Sequence, residues 1–351
     1  MGIDLSVIWF VIIVFATLMY IVMDGFDLGI GILFSATRDA EDRDVMVNSV
    51  APVWDGNETW LVLGGAGLFG AFPLAYAVII DALAIPLTLM LIGLIFRGVA
   101  FEFRFQATPS HRPFWDRAFL GGSLLATFSQ GVVVGAVING FSVSGRAFSG
   151  GMLDWLTPFT LFCGLGLTIA YALLGATWLV MKSENPLQDK MRHTSRTLLL
   201  ALLIAIAVIS LWTPLAQPAI AARWFTLPNL FFLLPVPLLV VALGAWLWRD
   251  LRNPDRHALP FILTLGLVFL GFSGLGISIW PHIIPPGITL WQAAAPPQSQ
   301  GFMLVGALLI IPVILGYTFW SYYVFRGKVQ HGEGYHLSLI HISEPTRLQL
   351  I

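Results

Sequence analysis

The sequence predicts an all-α polytopic membrane protein with about nine transmembrane helices and little mass outside the bilayer. Three observations carry this. Of the 351 residues, 57% are hydrophobic and 11% are charged, against roughly a quarter charged in soluble domains. So few charges cannot clothe a water-facing surface. Apolar runs long enough to cross a bilayer, which takes about 20 residues at about 1.5 Å rise each, recur along most of the chain. The cations between those runs alternate from side to side.

The runs must be helices, because lipid offers no partner for backbone N–H and C=O groups. The predicted spans are 7–33, 55–74, 78–103, 115–141, 156–181, 197–215, 227–248, 259–281 and 302–325. Residues 57–103 are almost unbroken, and only their length demands two helices, split around Pro73. No cationic segment precedes the first run and no small-residue cleavage site follows it, so it is read as a retained helix and not a signal peptide.

Loop charges set the topology. With the N-terminus periplasmic, the inner segments hold Arg38, Arg43, Arg104, Arg112, Arg117, Lys182, Lys190, Arg192, Arg196, Arg249, Arg252, Arg256, Arg326 and Lys328. The outer segments hold only Arg146 and Arg223. Such a bias is what the positive-inside rule requires, and it places the C-terminus in the cytoplasm. The outer loop 282–300, rich in proline and uncharged, is expected to be irregular and to pack on the outer face or against a partner. Residues 1–336 read as one integral membrane domain. Residues 337–351 differ in character and read as a non-native tail.

Several function classes fall away. A net charge of -1 without a basic run gives no nucleic-acid surface. The single cysteine, Cys163, excludes a disulfide framework within the chain. No metal-ligand cluster and no phosphate-binding glycine loop is present. Gly25-Phe26-Asp27-Leu28-Gly29-Ile30 and Gly271-Phe272-Ser273-Gly274-Leu275-Gly276-Ile277 echo one another, as two similar four-helix bundles plus one helix would. Gly64, Gly65, Gly67, Gly70, Gly131 and Gly135 offer small faces for close helix contact.

The chemistry lies in ionisable residues within spans, each costing roughly 2.5–3.5 kcal/mol to insert. Asp24 and Asp27 share one face of the first span through i, i+3 spacing. Asp27 lies about seven residues, roughly 10 Å, from the inner surface. Asp55 and Glu58 form a second such pair at the inner end of span two. Arg97 lies in span three at the depth of Asp27, with Glu102 below it. Asp81, near the outer end, reads as a helix cap. Two readings of the group stay open. Asp24, Asp27, Asp55 and Glu58 form a proton path from the cytoplasm, since buried carboxyls bind and release protons. Alternatively Arg97 pairs structurally with Asp24 or Asp27. None of His111, His193, His257, His282, His331, His336 and His341 falls in mid-span, so the chain offers no axial histidine for a haem.

Met23-Asp24-Gly25-Phe26-Asp27-Leu28-Gly29 resembles the first-helix signature of subunit II of cytochrome bd-type quinol oxidases. Asn48-Ser49-Val50-Ala51-Pro52-Val53-Trp54-Asp55-Gly56-Asn57-Glu58-Thr59-Trp60 is similar to that family's most distinctive stretch. Phe96-Arg97-Gly98-Val99-Ala100-Phe101-Glu102-Phe103-Arg104 and the ending Tyr317, Trp320, Tyr322, Arg326-Gly327-Lys328 also fit, in the manner of the compact members that include the cyanide-insensitive oxidases. The resemblance implies a respiratory-chain electron-transport complex of the bacterial inner membrane. It would oxidise quinol, commonly ubiquinol, reduce dioxygen to water and be electrogenic. It implies haem b and haem d held by a partner, subunit I, with this chain as the non-haem subunit supporting assembly and lining a proton-uptake path. A structural quinone and small accessory subunits are also implied. The alternative from the residues alone is a proton-coupled secondary transporter, with an inert scaffold as a third reading.

Overall fold

A computed structural model describes residues 4–330 and 332. Residues 337–351, read above as a foreign tail, lie outside the described residues. The helices are α1 (Leu5–Leu33), α2 (Ala40–Asn48), α3 (Trp54–Ala71), α4 (Pro73–Ala82), α5 (Ala84–Gln106), α6 (Arg112–Asn139) and α7 (Pro158–Lys182). They continue with α8 (Asn185–Ala216), α9 (Pro218–Phe225), α10 (Asn229–Leu233), α11 (Pro235–Asp250), α12 (Leu259–Ile279), α13 (Leu290–Ala293) and α14 (Pro297–Val324). Two short antiparallel hairpins interrupt them, β1 (Val143–Ser144) with β2 (Ala147–Phe148), and β3 (His282–Ile284) with β4 (Ile288–Thr289).

Eight of these helical segments are long and apolar enough to cross a membrane, or nine if the bent pair α3–α4 is one span. Eight to nine spans thus match the expected count in length and composition, with three corrections. First, the split near Pro73 is an elbow. The α3 helix ends at Phe72, α4 leaves it at 118°, and a second break at Leu83 precedes α5. Pro73 takes the first position of α4, and Pro86 lacks the N–H that Ala82 would need to continue α4 into α5. The expected third span, 78–103, is thus cut at Leu83. Second, α8 begins well before the predicted 197. Leu187, Met191 and Ser195 are buried on one face of its polar first turns, a 4-residue spacing that hydropathy alone does not register. Third, the loop expected at 282–300 is only partly irregular. It holds β3, β4 and α13, and its last residues begin α14.

That outer segment is latched to the chain's start. Asp4 caps α1 and accepts Trp291 Nε1 at 2.8 Å, while Trp9 Nε1 donates to the Gln300 carbonyl at 2.9 Å. Ala295 N–H donates to the Ala71 carbonyl at 2.8 Å, which satisfies a group freed by the elbow. Asp81 is exposed on α4 and caps no helix; the residue preceding α5 is Leu83.

The α1, α3, α5 and α6 helices pack as one bundle, and α7, α8, α11 and α12 as a second. The seam is formed by α7 packed on α1 and α6, and α14 leans on α1 and α3. The seam is a glycine crossing. A Cβ added at Gly29 would stand 1.9 Å from the Tyr171 carbonyl oxygen, and one at Gly175 would stand 2.6 Å from the Gly29 carbonyl carbon. Gly93 with Gly122, and Gly131 with Gly164, cross as closely. Of the expected small faces, Gly131 and Gly135 meet α7 this way, but Gly65 touches nothing within 4 Å and Gly64 makes only ordinary contact. The sequence echo falls on α1 and α12, yet the packing differs. Gly29 is locked in the seam, while Gly271, Gly274 and Gly276 have open space.

Candidate functional site: a buried ion group between α1, α3 and α5

One face of α1 carries Tyr20, Asp24, Asp27 and Gly31, at the four- and three-residue spacings that repeat a helical face. Asp24 and Asp27 are 0% exposed. Arg97, also 0% exposed, reaches in from α5. Its Nη2 donates to Asp24 Oδ1 at 2.7 Å and to Glu58 Oε1 of α3. The guanidinium sits 5.7 Å from the Trp54 ring and 5.8 Å from the Phe101 ring, which stack on each other. The two aromatic faces replace some of the hydration that the cation gives up.

Asp27 is held differently. Asn57 Nδ2 donates to Asp27 Oδ2 at 2.7 Å, and Tyr322 of α14 donates from its hydroxyl to Asn57 Oδ1 at 2.9 Å. A third arm leaves from Tyr20, one turn before Asp24. Gln130 Nε2 of α6 donates to Tyr20 Oη at 2.7 Å, and Tyr171 Oη of α7 donates to Gln130 Oε1 at 3.1 Å.

The expected residues are therefore brought together unequally. Asp24, Glu58 and Arg97 form one ion group, and Asp27, one turn along α1 from Asp24, is held separately by Asn57. The expected pairing of Arg97 with Asp24 or Asp27 resolves to Asp24, with Glu58 as the second partner. The Glu58 side chain is 30% exposed. Asp55, in the first turn of α3, is exposed, as is Glu102 on α5, which does not join the group. Three carboxyl groups face one guanidinium, so the group has the chemistry to take up and return protons.

Sequence reasoning missed Asn57, Tyr322, Tyr20, Gln130 and Tyr171. Asn57 and Tyr322 lay inside quoted motifs and could have been flagged there. Gln130 is an amide inside an otherwise apolar stretch, which is itself a signal. A separate network closes the end where α1 stops. Arg104, 1% exposed, bonds Asp116 and Asp44, both at 2.6 Å, and Arg43 bonds Asp116 at 2.7 Å.

Residues 5–325 match the family model described as cytochrome bd terminal oxidase subunit II. The cytochrome bd-I ubiquinol oxidase subunit 2 of Escherichia coli (strain K12) is 29% identical, covering 93% of this chain and 95% of that one. The cytochrome bd ubiquinol oxidase subunit 2 of Bacillus subtilis (strain 168) is 26% identical, covering 93% and 97%. A chain of the bd oxidase structure from Geobacillus thermodenitrificans superposes with a TM-score of 0.76 at 17% identity, covering 92% of this chain and 99% of that one, a likeness of fold. The chain belongs to the cytochrome bd terminal oxidase subunit II family and is a subunit of a quinol:oxygen oxidoreductase.

Proposed function

We propose that this chain takes protons from the cytoplasm and delivers them toward the dioxygen-reducing centre of the oxidase. The observation that carries the reading is a gradient of enclosure along bonded or adjacent carboxyls. Asp55 is exposed, Glu58 is 30% exposed, and Asp24 and Asp27 are sealed. Glu58 and Asp24 share Arg97, so a proton arriving at the surface meets a continuous polar route inward. The comparisons favour this oxidase reading over the transporter.

Haem b and haem d belong, in this proposal, to the partner subunit I. Among the described residues His111 and His257 lie next to helix starts, His282 lies in β3 and His193 is exposed near the start of α8, and no group of three metal-binding side chains exists. These donors do not fit an intramembrane haem, and no step is routed through one here. Subunit I is proposed to cover the α5 face where Glu102 is exposed with Ile95 and Phe103, because carboxylates on membrane helices do not face lipid. Quinol is the electron donor of the complex, and a structural quinone would be a further companion. The bias of fourteen inner cations against two outer ones supports a periplasmic N-terminus and a cytoplasmic C-terminus in the bacterial inner membrane.

The test is quinol-driven oxygen consumption and proton uptake by the purified complex in liposomes. Asp24→Asn, Asp55→Asn and Glu58→Gln should each lower turnover while haem spectra stay normal. Wild-type turnover in all three would leave an inert scaffold.

A further inference from the structure

The α6 helix carries two hydroxyls that its neighbours' pattern does not explain. Thr17, Thr168, Thr177 and Thr264 each donate to the carbonyl four residues earlier in their own helix, the usual resort of a threonine in a membrane span. Ser123 Oγ and Thr127 Oγ1 do not. Both residues are 0% exposed and neither atom has a protein partner. Across from them on α1, Asp24 Oδ2 and Asp27 Oδ1 are likewise unpartnered, as are Arg97 Nε and Nη1 on α5.

The packing of α6 on α1 sets the two hydroxyls toward the two carboxyl groups. Ser123, Thr127 and Gln130 form one stripe of α6 by their four- and three-residue spacing. Two contacts pin that stripe to the Tyr20–Asp24–Asp27–Gly31 face of α1. Ser123 Oγ lies 2.1 Å from where a Gly31 Cβ would be, and Gln130 Nε2 donates to Tyr20 Oη at 2.7 Å. Index rises along one helix as it falls along the other, so the helices run antiparallel. Thr127, between the pins, is therefore set against the Asp24–Asp27 turn. The set is chemically complementary, with two hydroxyls and two guanidinium N–H groups to donate and two carboxyl oxygens to accept.

A buried water bonds about three polar groups, so six such atoms match a pair of waters. We infer that Ser123 and Thr127 hold waters that join Asp24 to Asp27 and make α6 part of the proton-carrying group. This deepens the proton-uptake reading and rests on it. In the step, the carboxyl proton of Asp27 passes to a bridging water while that water gives a proton to the Asp24 carboxylate, so charge moves and no bond count changes. Thr127 and Ser123 are positioning residues, because they act through the water.

The experiment compares the whole oxidase with its Thr127→Val, Thr127→Ser and Ser123→Ala variants. It uses high-resolution cryo-electron microscopy and turnover measured across pH in light and heavy water. Expected are water densities within hydrogen-bond reach of Thr127 Oγ1 and Asp27 Oδ1 that are lost in Thr127→Val. Turnover there should fall about three- to tenfold, the equivalent of one lost hydrogen bond. The solvent isotope effect should rise, and Thr127→Ser should restore both. Ser123→Ala should fall in the same direction, which keeps the test open if Thr127→Val does not assemble. A dry interface overturns the inference. So does wild-type turnover and isotope effect in Thr127→Val and Ser123→Ala while Asp24→Asn is impaired. If Asp24→Asn is also unimpaired, the uptake reading itself fails, and this one with it.

Discussion

Replacing Arg97 with methionine should be among the most damaging single changes in the first bundle. The side chain is 0% exposed and, among the described residues, is the only cation bonded to Asp24, which is also 0% exposed. Methionine fills similar volume, so the loss is electrostatic and not a cavity. Breaking a buried pair by removing one partner costs about 3–5 kcal/mol, because the other charge is stranded. Glu58 adds little to that figure, since its side chain is 30% exposed and water screens it. At the ~2 °C per kcal/mol of large domains, the complex should lose about 6–10 °C in Tm. The assay is thermal unfolding of the detergent-purified complex, followed by haem absorbance. A double-mutant cycle completes it: Arg97→Met with Asp24→Asn removes the stranded charge and should recover most of the loss. A single variant as stable as wild type, or a double variant no better than the single, would refute the account of Arg97 as counter-ion to Asp24.

Three further outcomes follow from other parts of the structure. Gly29→Ala puts a Cβ 1.9 Å from the Tyr171 carbonyl oxygen, so the seam must open. The cost should be at least about 1–3 kcal/mol, seen as reduced assembly, while Gly65→Ala, with nothing within 4 Å, should assemble normally. Asn57→Leu removes the donor to Asp27 and the acceptor for Tyr322. It should lower stability by about 1–3 kcal/mol, measurable in the same unfolding assay. His257, in the loop before α12, receives Gln188 Nε2 and Arg192 Nη2 on Nδ1, both at 3.1 Å. Burial, then the nearby Lys328 and Arg192, hold its proton affinity below that of an ordinary histidine, with Asp255 and Glu184 opposing weakly. The unfolded loop therefore binds the proton more tightly. The loop's stability is full above the ordinary histidine range and falls as pH drops through it. Hydrogen exchange of residues 251–258 should be slower at neutral pH than at mildly acidic pH.

The spans and the membrane-buried carboxylates were legible because both announce themselves by contrast, apolar length in one case and charge within it in the other. What hydropathy could not carry was direction and company. The elbow at Phe72 depends on Pro73 and the second break at Leu83 on Pro86, and the early start of α8 depends on Leu187 and Met191 sharing a face inside a polar segment. The partner of Asp27 is an asparagine two residues past Asp55, itself held by the hydroxyl of Tyr322. Their meeting is a tertiary fact that no local spacing encodes. Gly65 and Gly29 look alike in sequence, and only packing separates a glycine in open space from one in a backbone crossing.

The glycine crossing between α1 and α7 also bears on how this protein can move. Backbones that meet with no side chain between them leave no clearance for sliding, and interlocked interiors shift between discrete arrangements and do not deform smoothly. The two bundles are in effect welded along Gly29 and Gly175. Rocking of one half against the other, the motion on which alternating-access carriers depend, would have to tear that weld. On the proposed uptake route, protons would cross a stationary frame by rotation of hydroxyls and carboxyls in place, on the timescale of side chains and not of helices.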